Sequence, residues 1–215
     1  MPTDVKICGL TRAVDAEFAD AAGVQYLGVI FAGGPRERTP MQARETLAGR
    51  RARKVGVFST QPEDVIATLV DMVGLQVVQL HADADAGRVQ RVRAATGAEV
   101  WAVIRTADGV LPDGTEALCD AADALLIDAL APGHLGGSGK TLPWDRLGES
   151  LDELDYHPRI VLAGGLTAEN VGEAIELVAP SVVDVSSGVE VSPGVKDHAR
   201  IRAFVASVRS SGDEE

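Results

Sequence analysis

Eight short apolar runs recur along the chain: VKICGL (5–10), YLGVIF (26–31), RKVGVF (53–58), VVQLH (77–81), VWAVIR (100–105), ALLIDA (124–129), IVLAGG (160–165) and VVDVSSG (182–188). They are rich in β-branched residues and continuous rather than alternating. That pattern predicts strands covered on both faces, as in a parallel sheet. Between them lie Ala-rich stretches with helical spacing. In PEDVIATLVDMVG (62–74), Val65, Ile66, Leu69, Val70 and Val73 are expected on one face, and in HARIRAFVASVR (198–209) so are Ile201, Phe204, Val205 and Val208. Pro62 and Thr167 read as helix starts, and Gly23, Gly74 and Gly97 as stops.

Even spacing of eight strand–helix units, with no second region of different texture, predicts one α/β domain: a single (β/α)8 TIM barrel over residues 1–209, followed by a frayed tail at 210–215. An open doubly wound sheet is the alternative, but no G-x-G-x-x-G follows the first strand. One connection, LAPGHLGGSGKTLP (130–143), is long and rich in Gly and Pro, and loops of that size in compact domains are usually functional.

Composition narrows the class. At 215 residues and 46% hydrophobic, the chain can bury a full core. Two cysteines, Cys8 and Cys119, without C-x-x-C spacing, suggest reduced thiols in a cytoplasmic protein, with no metal site expected. The N-terminus does not read as a signal peptide, and no apolar run approaches the roughly 20 residues of a membrane span. The balance of 20 basic against 32 acidic residues, net −12, argues against a nucleic-acid partner. It leaves room for a small anionic ligand, which a few local groups can hold against the net field. Lysine occurs only at 6, 54, 140 and 196. Such a surface suits a high-salt cytoplasm, and genomic composition explains it equally well; activity measured from low to molar KCl separates the two.

In a barrel the chemistry gathers at the C-terminal strand ends. Those ends carry Cys8, Arg36 just after strand 2, His81, Arg105, Asp128, the Gly164-Gly165 turn and Ser186-Ser187-Gly188. Either glycine turn alone reads as a strand stop, but the two together, after strands 7 and 8, favour a phosphate site. Asp128 either caps a turn or acts in the site, where partial burial would raise its pKa toward that of a usable acid. A lone strand cysteine is more often packing than chemistry, and its thiol needs a lowered pKa to react. Lys6 shares the face of Cys8 if the strand is regular. Cys119 reads as inert core. Arg36 fits either a solvated loop or a carboxylate partner, and His81 fits a supporting role.

Taken in order, VKICGLTR, VQLH, LLIDA, GGSGKTLPW, LAGGLTAENV and VDVSSGVEVSPGVKD resemble the phosphoribosylanthranilate isomerase family of tryptophan biosynthesis over essentially the whole chain. The resemblance implies a (β/α)8 barrel that carries out an Amadori rearrangement on a small phosphosugar, with no cofactor, metal or membrane. It implies Cys8 as general base, Asp128 as general acid and Arg36 as the partner of the anthranilate carboxylate. Gly164, Gly165, Ser187 and Gly188 would hold the phosphate and Asp184 a substrate hydroxyl. The loop with Gly137, Ser138 and Gly139 would close over the ligand. Glu37 stands where the family usually has an apolar residue, so Arg38 competes with Arg36 for the carboxylate, and Ala82 replaces an expected glycine. Two rivals remain. The histidine-pathway Amadori isomerase carries an aspartate in place of Cys8, and an idle phosphate-binding barrel would lack turnover. Monomer and homodimer are equally compatible with the sequence.

Overall fold

The protein is described by a computed structural model over residues 2–82, 84–129, 143–154 and 158–211. Strand and helix alternate throughout: β1 (Asp4–Ile7), α1 (Ala13–Ala21), β2 (Tyr26–Ile30), α2 (Pro40–Leu47), β3 (Arg53–Phe58), α3 (Glu63–Val73), β4 (Val77–Leu80) and α4 (Ala86–Thr96). The second half continues with β5 (Glu99–Thr106), α5 (Thr115–Ala121), β6 (Ala124–Ala129), α6 (Trp144–Asp152), β7 (Ile160–Leu162), α7 (Val171–Val178) and β8 (Val182–Val185). A 3₁₀ turn (Ser187–Val189), a small antiparallel hairpin of β9 (Glu190–Ser192) and β10 (Val195–Lys196), and α8 (His198–Ser211) complete the chain. β1 to β8 pair in parallel in sequence order and β1 closes on β8, giving the expected (β/α)8 barrel.

Side chains of the strands face two ways, and each direction meets its own core. Outward residues such as Ile7, Leu27, Val78, Leu125 and Val183 pack beneath the helices. Inward residues Tyr26, Val55, Val77, Trp101, Leu126, Val161 and Val182 fill the barrel interior. The lower mouth is closed by the Arg159 guanidinium lying over Tyr26 and Trp101, 5.5 and 5.9 Å from their ring centres. Glu99 accepts bonds there from Trp101 Nε1 (2.6 Å) and Arg159 Nη1 (3.0 Å).

Helix boundaries depart from expectation in two places and a helix face in one. Pro62 is the N-cap of α3, and Gly74 and Gly97 end α3 and α4 in the left-handed region. Thr167 is three residues early: Asn170 is the N-cap of α7, and its side chain accepts the Thr167 N–H at 2.8 Å. The buried stripe of α3 is Ile66, Val70 and Val73, while Val65 lies one step round the helix and is 41% exposed. The second boundary is that of α8, which runs through Ser211, past the expected start of the tail.

Candidate active site

Beyond the apolar floor the barrel interior turns polar, because the next inward residues along three strands are Lys6, Gln79 and Asp184. Lys6 has no exposed surface, and its Nζ donates to Asp184 Oδ2 at 2.6 Å and Gln79 Oε1 at 2.9 Å. Isolating an ammonium from water costs several kcal/mol, so such a lysine persists only with a carboxylate beside it. Burial pushes Lys6 down, but Asp184 and Cys8 outweigh it and leave its pKa raised.

Cys8 follows directly on β1, two residues from Lys6 and on the same side. The two meet over Gly28 of β2, where a Cβ would lie 3.0 Å from Cys8 Sγ and 3.3 Å from Lys6 Cε. Any other residue at position 28 would crowd both. The lowered pKa that a reactive thiol needs is not found in the free site. Burial pushes the Cys8 thiol up, Lys6 pulls it down, Asp184 adds to the rise, and the balance stays above the ordinary thiol value.

Above this layer opens a cavity of about 500 Å³ at the C-terminal strand ends. Cys8, Arg36, His81, Asp128, Asp184 and both glycine turns, Gly164-Gly165 and Ser187-Gly188, line it together. Asp128 is buried at the end of β6 and is the register partner of Arg105 on β5. Gly164 and Gly165 hold φ of +92° and +68°, which side chains rarely adopt. Gly188 approaches so closely that a Cβ there would sit 2.0 Å from the Leu166 carbonyl oxygen. The β7 and β8 turns are therefore one joined cradle.

His81 contacts Arg105 through Nε2. Burial, aided by the charges of Arg105 and Lys6, lowers its pKa to about 4, so the ring is neutral near pH 7. His81 Nδ1, Asp184 Oδ1 and Ser186 Oγ are buried without a hydrogen-bond partner among the described residues. All three residues line the cavity.

Arg36 enters from the loop after β2. That loop folds back on its own strand: Arg38 N–H donates to the Ile30 carbonyl at 2.8 Å. Arg36 lines the cavity and Arg38 does not. Gly137, Ser138 and Gly139 lie outside the described residues. Sequence reasoning missed Gln79, Gly28, Glu190 and Lys196. Glu190 and Lys196 of VEVSPGVK were in plain view, but their meaning depends on what the hairpin folds against. No metal-binding group of His, Cys, Asp or Glu and no helix long and apolar enough to cross a membrane occurs among the described residues.

Comparison with known proteins agrees along the full length. Residues 5–207 match the family described as N-(5'phosphoribosyl)anthranilate (PRA) isomerase. The N-(5'-phosphoribosyl)anthranilate isomerase of Paracoccus denitrificans is 42% identical over 215 residues, 96% of this chain and 97% of that protein. A crystal structure of phosphoribosyl anthranilate isomerase from Thermus thermophilus superposes with a TM-score of 0.83 at 33% identity, covering 97% of this chain and 99% of the other. A further isomerase structure, in complex with reduced 1-(O-carboxyphenylamino)-1-deoxyribulose 5-phosphate, has a TM-score of 0.81 at 29% identity, with 97% and 99% covered. By family match, identity and fold together, the chain belongs to the N-(5'-phosphoribosyl)anthranilate isomerase family.

Proposed function

We propose that the chain isomerises N-(5'-phosphoribosyl)anthranilate to the 1-(2-carboxyphenylamino)-1-deoxyribulose 5-phosphate aminoketose, a step of tryptophan biosynthesis, with Asp128 as acid and Cys8 as base. The observation that carries this reading is one cavity lined by a thiol, a carboxylate, a cation and two glycine turns. The rearrangement reduces C1′ as it oxidises C2′, so its electrons balance within one molecule and the step needs no external oxidant or reductant.

The phosphate sits on the Gly164-Gly165 and Ser187-Gly188 turns, and the ring carboxylate meets Arg36. These two anchors place the ribose between Cys8 and Asp128 and hold the reacting carbon near its partners. Asp128 protonates the furanose ring oxygen, and the ring opens to a protonated Schiff base. Cys8 then takes the C2′ proton, giving an enolamine that tautomerises to the ketone. Asp184 Oδ1 accepts from a substrate hydroxyl, and His81 Nδ1–H donates to a substrate oxygen, since its Nε2 faces the Arg105 guanidinium and must be the accepting nitrogen. The raised pKa of the free thiol makes substrate part of its activation: the iminium places a further cation beside a sulfur already under the pull of Lys6 and Lys196, which favours the thiolate when it is needed.

The test follows the loss of substrate fluorescence on adding protein to freshly generated phosphoribosylanthranilate. Cys8→Ala and Asp128→Asn are each expected to lower kcat by about 10²–10⁴-fold, the usual worth of a positioned acid or base. Turnover that survives Cys8→Ala would move the base elsewhere. Absence of turnover in the unmodified protein, at low and high salt, would overturn the activity.

A further inference from the structure

Arg36 is a long, flexible side chain on a loop, and something must aim it. Glu190, at the start of β9, is buried, with 6% of its surface exposed, and does not line the cavity. Arg36 Nε donates to Glu190 Oε1 at 2.9 Å and to Oε2 at 3.2 Å, and Arg36 Nη2 donates to Oε2 at 2.7 Å. This fork-on-fork pairing fixes the guanidinium in plane and direction. Glu190 Oε1 is itself held by Lys196 Nζ (2.8 Å) and the Gly194 N–H (3.1 Å). Lys196 Nζ also donates to the Ser186 carbonyl at 3.0 Å, at the head of the β8 turn. Gly9 clears the path of the arginine, since a Cβ there would lie 2.6 Å from Arg36 Cδ and 2.9 Å from Ser186 Oγ.

Two consequences follow from this geometry. Glu190 occupies the Nε–Nη2 edge of the guanidinium, so a ligand carboxylate meets the remaining outer edge. One buried carboxylate also ties the β2 loop to the β8 turn, which are the two anion anchors of the cavity. We propose that Glu190 is a positioning residue: it presents the outer edge of Arg36 to the ring carboxylate and, through Lys196 and Ser186, sets the spacing between the carboxylate and phosphate anchors. The proposal rests on the substrate reading given above.

The experiment measures Kd by calorimetry for two ligands, the reduced aminoketose phosphate bearing the ring carboxylate and its phenyl counterpart without it. The proteins are the unmodified chain, Arg36→Ala, Glu190→Gln and Glu190→Asp, each checked for folding by thermal melting. Glu190→Gln is expected to weaken the carboxylate ligand by about tenfold and the phenyl ligand several-fold less. Glu190→Asp, which keeps the charge, is expected to recover part of the loss, and it carries the test alone if the Gln variant does not fold. Unchanged or tighter binding of the carboxylate ligand, or equal losses on both ligands, would overturn the proposal while leaving the substrate reading intact. If the unmodified chain binds neither ligand, the substrate reading itself fails. If Arg36→Ala does not discriminate between the ligands, the carboxylate is held elsewhere and the role of Glu190 falls with it.

Discussion

Lys6 and Cys8 show how two neighbouring residues acquire meaning from their surroundings. The lysine has no water to solvate it, so its charge is directed at Asp184 and at the sulfur next to it. Removing it deprives the thiolate of its nearest cation and leaves the Asp184 carboxylate uncompensated nearby. Both effects favour the neutral thiol. In a Cys119→Ser background, alkylation of Cys8 by iodoacetamide is expected to rise with pH at a midpoint above that of free cysteine, and Lys6→Met is expected to move it higher still. A midpoint that does not move on substitution would remove Lys6 from the chemistry. Breaking the buried pair is also expected to cost about 3–5 kcal/mol of stability, visible in urea unfolding.

The β7 and β8 turns act as an element rather than as separate residues. Strand β7 is only three residues long, and its end passes straight into Gly164-Gly165, whose positive φ values turn the backbone over the cavity. Gly188 then packs against the Leu166 carbonyl at a separation that only hydrogen allows. A methyl group there must push the turns apart, at a cost of about 1–3 kcal/mol, the usual range for overpacking. Gly188→Ala is therefore expected to weaken competitive inhibition by inorganic phosphate by about tenfold or more, with the melting temperature checked in parallel. An unchanged inhibition constant would place the phosphate elsewhere.

On the scale of the whole molecule, the barrel separates its tasks along its axis. The floor is apolar and sealed by Arg159 and Glu99, while the upper interior is polar and carries the ionisable groups. Polar burial on this scale couples folding to pH. His81 has a pKa of about 4 in the folded chain against an ordinary value of 6.5. The unfolded chain therefore takes up more protons between these values, and stability is lost as pH falls through that window. The contribution is on the order of 3 kcal/mol. The urea midpoint of His81→Asn is expected to fall less steeply than that of the unmodified protein from pH 6.5 to pH 4; parallel curves would remove His81 as the cause.

The sequence by itself determined the fold class, the eight strands and the identities of the groups at their ends, since continuous apolar runs and small-residue turns are local properties of the chain. Cys8, Asp128 and the two glycine turns could be named because a parallel barrel must bring its strand ends to one mouth. Helix detail was read less evenly: Pro62 is the N-cap of α3, but Thr167 falls three residues before the α7 N-cap and Val65 lies off the buried stripe, because caps and edge positions depend on contacts across the structure. What only the tertiary structure decided is how the site groups are charged and aimed. Gly28 is a spacer only because Cys8 and Lys6 converge on it. The Cys8 thiol is raised only because burial, with the Asp184 charge, outweighs the pull of Lys6 and Lys196. Glu190 meets Arg36 across 154 residues of chain. Electrostatics and packing of this kind depend on distance in space, and one-dimensional spacing does not carry that distance.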